Sequence, residues 1–254
     1  MYEIVRYSNY LNNVNLKDFT AMDLNLFFSI IAKVKEQGTD AVTFTFDELK
    51  TLIDYKPTSI KRFVADLLRM NEKLLRIAGS HDIDDATIVQ FNLFSDFKTD
   101  VAKRTLTVRI NKDFSFVFND LDGQYTSFHL RGFLSLKSRY TKLLFCQLKQ
   151  WKSIGRKSFT IEELRKVLNV PASYPNRKIG TILEGSVKDL IENECFKGLK
   201  YTPVKSKMQG RAIIGYTFTW KGSRLYRKSK HKAATSGKEP RTTSFNGWMV
   251  PEDL

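Results

Sequence analysis

The chain has 254 residues, 42% of them hydrophobic, with a formal net charge of +15; that is apolar content enough for one large or two ordinary cores, and it excludes a disordered chain. No apolar run approaches the roughly 20 residues of a membrane span, and Glu3 and Arg6 interrupt the first apolar residues, so neither anchor nor secretory leader is expected and the chain is assigned to the cytoplasm. Residues 1–122 hold 16 basic and 18 acidic side chains, residues 123–232 hold 24 and 6, and the last 22 hold 2 and 3, which directs the second half at a polyanion.

In chain order, "AMDLNLFFSIIAKVKEQG" puts Leu24, Phe27, Phe28, Ile31 and Val34 at helical spacing, with Thr20 placed to cap the start beside Asp23 and Gly38 to stop it. "VTFTFDELKTLI" (42–53) gives a short strand and a second helix. Pro57 suits the first position of a third, with Ile60, Val64, Leu67 and Leu68 on one face. Thr87, Val89, Phe91 and Leu93, and then Leu106, Val108 and Ile110, alternate with polar residues as the two strands of a ribbon whose turn is "SDFKTDVAKR". "FSFVFNDLDGQYT" (114–126) is expected to be a short connection, partly strand.

The same order then returns. "LSLKSRYTKLLFCQLKQWKSIG" carries Leu136, Tyr140, Leu143, Leu144, Leu148 and Trp151 as a stripe, with Gly155 as the stop. "KSFTIEELRKVL" (157–168) repeats the first motif 115 residues on, Phe159-Thr160-Ile161-Glu162-Glu163-Leu164-Arg165 against Phe44-Thr45-Phe46-Asp47-Glu48-Leu49-Lys50. Pro175 opens another third helix, with Ile179, Ile182, Leu183, Val187, Leu190 and Ile191 on its buried side. The two prolines lie 118 apart, which implies a three-residue insertion in the second turn. Tyr201–Val204 and the alternation Ile214, Tyr216, Phe218, Trp220 make a second ribbon. Helix, strand, helix, helix and ribbon, twice over, predict an α+β fold of two tandem winged-helix domains, each a helix-turn-helix plus β-ribbon, related by internal duplication. The expected boundaries are 1–122, 123–221 and a basic tail, 222–254, that is polar, aperiodic and flexible. Its end, "FNGWMVPEDL", is either a frayed terminus or a short peptide that docks on a partner.

Catalytic signatures are missing. There is no G-x-x-x-x-G-K-[ST], and His81, His129 and His231 form no cluster able to hold a metal beside a nucleophilic tyrosine. Glu162 and Glu163 sit where a helix dipole favours acids. Cys146 and Cys195 make no C-x-x-C and fit reduced thiols. The expectation is a non-enzymatic protein with no cofactor and no metal.

Basic and polar residues fall where a DNA-binding unit places them. Asn176, Arg177, Lys178 and Thr181 occupy the first turns of the last helix, the part of a recognition helix that meets base edges, with Ser173 and Tyr174 at its entry. Lys205, Lys207 and Arg211 lie at the ribbon tip, and Lys137, Arg139 and Lys142 at the start of the unit's first helix, where backbone contacts belong. In the first unit Lys56, Thr58, Ser59, Lys61 and Arg62 open the third helix, but Asp54 and Asp66 lie close by. That unit binds DNA more weakly or serves a protein partner.

"FTAMDLNLFFSII", "FTFDELKTLI", "FLSLKSRYTKLLFCQLKQW" and "FTIEELRKVLNVPASYPNRKIGTILEGSVKDLIE" together resemble the initiator replication proteins of iteron plasmids, the Rep-3 type that replicates by the theta mode; the resemblance covers roughly residues 1–220. It implies two winged helices that bind directly repeated origin sites as monomers, the second unit reading more strongly. It also implies repression of the protein's own gene by homodimers formed through the first unit, and recruitment of host replication proteins. Carried over, DNA reading falls on Arg177, Lys178 and their neighbours, and more weakly on Thr58, Ser59, Lys61 and Arg62. The rival reading is a transcriptional regulator whose site is an operator.

Overall fold

The computed structural model describes residues 4–34, 40–84, 87–112, 117–118, 125–207 and 212–222. They fall into two compact units, one running through Leu134 and the next beginning at Ser135.

The first unit opens with strand β1 (Ile4–Ser8), a 3-10 turn (Asn9–Asn13) and helix α1 (Ala21–Val34). Thr20 caps α1 reciprocally: its hydroxyl accepts from the Asp23 N–H at 3.2 Å, and Asp23 Oδ2 accepts from the Thr20 N–H at 2.7 Å. Strand β2 (Val42–Thr45) runs into α2 (Phe46–Leu52), followed by α3 (Ile60–Leu75). Then come β3 (Ala78–Asp84), β4 (Thr87–Asn92), β5 (Phe94–Asp100), β6 (Thr105–Ile110), β7 (Tyr125–His129) and the short α4 (Leu130–Leu134). The second unit is α5 (Arg139–Gln150), β8 (Arg156–Thr160), α6 (Ile161–Val167), α7 (Asn176–Glu192), β9 (Lys200–Lys205) and β10 (Ile213–Thr219).

The duplication holds at the level of single hydrogen bonds. The sheets are ordered β2-β6-β5 and β8-β10-β9, so in each unit the strand before the helix-turn-helix pairs with the last strand of the wing. Thr43 faces Thr107 with hydroxyls 2.9 Å apart, and Ser158 faces Thr217 at 2.8 Å. Both α2 and α6 start in a complete capping box, Thr45 with Glu48 and Thr160 with Glu163. Both end in a left-handed residue, Asp54 (φ 54°) and Asn169 (φ 51°), again 115 apart. Aspartate and asparagine are the non-glycine residues that tolerate this conformation best. The next N–H closes back on the helix in each case, Tyr55 to the Lys50 carbonyl at 2.8 Å and Val170 to that of Arg165 at 2.9 Å.

Several sequence expectations are corrected. Pro57 does not open a helix: α3 starts at Ile60 with Ser59 as N-cap, whereas Pro175 is itself the N-cap of α7. The buried positions Ile179, Leu183, Val187 and Leu190 follow Phe63, Leu67, Asn71 and Leu74 by 116 residues, so the turn insertion is one residue, not three. The first ribbon is β5 with β6, turning at residues 101–104, and β4 pairs instead with β3 in an extra hairpin that has no counterpart among the described residues of the second unit. The connection after the first ribbon includes Val117 and Phe118, both buried, and leads into β7, which returns to pair antiparallel with β1 from Ile4↔His129 to Ser8↔Tyr125. The unit boundary therefore lies at 134/135, twelve residues beyond the expected 122/123. Gly38 and the tail from residue 223 lie outside the described residues.

Aromatic rings fill both cores. In the first unit Phe28 meets Phe27, Phe128 and Phe133 with centroids 5.1, 5.7 and 4.6 Å away, and Phe63 lies between Phe46 and Tyr55. In the second, Tyr201 stacks on Phe218, which also meets Phe159 edge-on. The Phe63 contacts seat α3 against α2 and the turn between them, while the second set runs across the sheet β8-β10-β9 itself.

Candidate nucleic-acid interface

The interface in the second unit begins with the turn into α7. Arg165, on α6, donates to the carbonyls of Pro171 and Tyr174 and, at 2.8 Å, to Asn176 Oδ1. Arg139, half-buried on α5, donates to the Asn169 carbonyl at 3.4 Å. Two guanidiniums thus brace residues 169–176, and the start of α7 is fixed from outside the helix. Ile179 and Leu183 are fully buried, and an added Cβ at Gly180 would come within 3.1 Å of the Tyr216 hydroxyl. With that side against β10, Arg177, Lys178 and Thr181 are exposed, as are Ser173 and Tyr174 before them. Among the described residues no carboxylate pairs with Arg177 or Lys178. Arginine at this position can present a bidentate fork to a guanine edge, while Asn176 has its Oδ1 engaged by Arg165.

Lys205 and Lys207 are exposed at the end of β9, where the Ser206 N–H donates to the Ala212 carbonyl at 2.8 Å; Arg211 lies outside the described residues. Lys137 precedes α5 and lines an open groove with Thr181 and Lys188 of α7.

Lys142 is corrected. It is fully buried, within a stretch of α5 in which every residue from Thr141 to Leu148 is buried, so it cannot touch DNA. Burial lowers its pKa from 10.5 to about 7, against the opposing pull of Cys146 and Asp189. Asp189 is already engaged: its carboxylate accepts from the Lys137 N–H at 3.0 Å and from Asn193 Nδ2 at 3.0 Å. Lys149 is also lowered by burial, to about 8; it donates to the Cys195 carbonyl and lies over the rings of Phe145 and Phe196. Burial pushes the Cys195 thiol up to about 11. Cys195 therefore does not stand as a reactive thiolate.

The corresponding surface of the first unit is more nearly neutral. Lys56 pairs with Asp54, and Arg62 lies 3.9 Å from Asp66. Ser59 accepts from the Arg62 N–H as the helix cap. Thr58 and Lys61 are exposed. Arg165 is the functional residue that sequence reading missed. Its position in the repeated motif was visible, but its partners follow it by 6 to 11 residues in a turn of irregular shape.

No group of three or more His, Cys, Asp or Glu side chains able to hold a metal is present among the described residues, and no helix among them is long and apolar enough to cross a membrane.

Fold and surface define a class: a tandem winged-helix protein whose second helix-turn-helix exposes Arg177 and Lys178, with no carboxylate partner among the described residues. Within that class the chain belongs to the replication initiator family. Residues 4–149 match the family model "Initiator Replication protein, WH1" and residues 160–220 match "Initiator Rep protein, WH2". It is 36% identical to a probable replication protein rep of Bifidobacterium longum (strain NCC 2705) over 221 residues, which are 86% of this chain and 72% of that protein. The crystal structure of Pi initiator protein in complex with iteron DNA shares the fold, with a TM-score of 0.68 at 14% identity over 88% of this chain and 98% of that one.

Proposed function

We propose that this initiator works by binding directly repeated double-stranded DNA sites at a plasmid origin, with the second unit as main reader and the first as a weaker one. Occupied repeats promote opening of the adjacent duplex and recruit host replication proteins, in the cytoplasm and without catalysis by this chain. Repression of its own gene by homodimers belongs to the same reading. The observation that carries it is the start of α7: exposed, unpaired Arg177 and Lys178 on a helix braced by Arg139 and Arg165, in the half that holds the positive charge. The relative with iteron DNA in its crystal structure supports the choice of ligand.

A footprint on the DNA flanking the protein's own gene tests this. Two tandem readers on a short connection enter successive major grooves, about 34–36 Å apart. The expected result is a row of direct repeats beside an A·T-rich segment, each protected over roughly two helical turns per monomer. A lone inverted repeat would make the protein an operator-binding regulator, and protection of a single turn would leave one unit without a DNA contact.

A further inference from the structure

We propose that Arg62 and Arg69 form a clamp for the DNA phosphate backbone on the exposed face of α3, with Asp66 and Tyr55 as the residues that position it. The proposal rests on the reading of the chain as a duplex binder and assigns the first unit a different mode of contact from the second.

Asp66 lies between the two arginines, four residues after Arg62 and three before Arg69, on one side of the helix. Its carboxylate accepts from Arg69 Nη2, lies 3.9 Å from Arg62 Nε, and accepts from the Tyr55 hydroxyl at 2.6 Å. The arginine side chains are 69% and 66% exposed, the aspartate 21%, and Tyr55 is buried against Phe63 with ring centroids 5.0 Å apart. A core tyrosine thus anchors a carboxylate that holds the solvent-facing guanidinium of Arg69 by a hydrogen bond and draws that of Arg62 to ion-pair distance. The Tyr55 hydrogen bond, aided by the arginines, holds the Asp66 carboxyl below its usual range, while burial and Asp66 raise Tyr55, so the pair stays ionised acceptor and protonated donor at neutral pH.

Each guanidinium has five donors, of which one carboxylate takes few, and two positive charges against one negative leave a surplus for an anion. Phosphate is the anion that guanidiniums grip best, and side chains already held in place lose less freedom on binding it. The device belongs to the first unit alone: Val170 stands at the position equivalent to Tyr55, and Ile182 at that of Asp66. A helix that grips phosphates positions the duplex without reading it, which fits a weaker first reader beside a specific second one.

The test measures the full chain binding a fluorescein-labelled mixed-sequence duplex of about 40 base pairs, at several salt concentrations from roughly 50 to 200 mM. Arg69→Ala should lower the slope of log affinity against log salt by about 0.9, so that the loss of affinity across that range is roughly threefold smaller. Asp66→Asn is the sharper variant. It removes a negative charge, so charge alone would tighten binding, whereas loss of the clamp weakens it roughly threefold at the low-salt end and lowers the slope. Tyr55→Phe leaves the charge unchanged and should weaken binding in the same direction; it also serves if Asp66→Asn fails to fold. The double variant Asp66→Asn/Arg69→Ala should bind no worse than Arg69→Ala. Tighter binding by Asp66→Asn, no change in Tyr55→Phe, or effects of Asp66 and Arg69 that simply add would overturn the clamp while leaving duplex binding intact. Failure of the unaltered chain to bind the duplex would overturn both.

Discussion

Lys142 is an ionisable side chain wholly removed from solvent. Basic, near the start of α5 and between Arg139 and Lys149, it has the sequence setting of a surface residue. Its burial follows from α7, whose Asp189 lies close enough to act on its charge. The unfolded lysine titrates near 10.5 and the folded one near 7, so between those values the unfolded chain binds more protons and stability rises with pH. Lys142→Met, which leaves Asp189 with its Lys137 and Asn193 hydrogen bonds, should therefore stabilise the fold by on the order of a few kcal/mol at pH 7 and below. The gain should shrink as the pH approaches 10, and thermal melts across that range would show it. DNA affinity of the variant should be unchanged. Arg177→Ala, by contrast, should cost about 1–3 kcal/mol at one base position and relax the preference there. Lys207→Ala should weaken all sequences alike and lower the salt slope by about one phosphate contact, as titrations against matched and mismatched sites would measure.

At the scale of elements, what was legible is what the chain encodes within a few residues. The Thr20 cap, the apolar stripe of α1 and the alternation in β6 carry local signals and form as expected, and most of the α7 stripe is buried. Leu68 of the expected α3 face, Ile191 of α7 and Ile214 of β10 are exposed, and α3 turns Phe63, Leu67, Met70 and Leu74 inward instead. Thr45→Ala and Thr160→Ala should each cost about 1 kcal/mol in denaturant unfolding, and by similar amounts, since the two boxes are equivalent. The failures are pairings set at long range. Strand β5 carries the largely polar sequence Ser95-Asp96-Phe97-Lys98-Thr99-Asp100, as befits an edge strand with β6 alone beside it among the described residues, and it passes for a turn. Nothing within Ile4–Ser8 announces a partner near residue 127. Gly215 is a hidden requirement of another kind: a Cβ there would stand 2.3 Å from the Phe159 carbonyl oxygen, at the irregularity in β10. Gly215→Ala should shift the wing against β8 and destabilise the second unit by more than either cap loss. Of the interface, the exposed basic residues of α7 were legible, and the bracing role of Arg139 and Arg165 was not, since all but one of their acceptors are backbone carbonyls of an irregular turn.

For the whole molecule, charge governs which half can meet its own copy. The nearly neutral first unit can approach another chain without strong repulsion, while the basic second unit resists this away from DNA. Among the described residues the outer edge of β5 and both outer edges of the β3–β4 hairpin have no strand beside them, and open edges are ready seams for pairing. Sedimentation of residues 1–134 and 135–232, cut at the observed boundary, should find self-association in the first piece and a monomer in the second; the opposite outcome would reverse the assignment. The antiparallel pair of β1 and β7 has a consequence in time. The ribosome makes Ile4 long before His129, so the first unit cannot form its two-stranded β1–β7 sheet until nearly 130 residues have been joined, although its three-stranded sheet needs only the chain through Ile110. The second unit completes its three-stranded sheet within a span of 64 residues, Arg156 to Thr219. Long loop closure slows folding. The half made last should therefore mature soon after its synthesis, while the half made first sets the pace at which a newly translated initiator becomes competent.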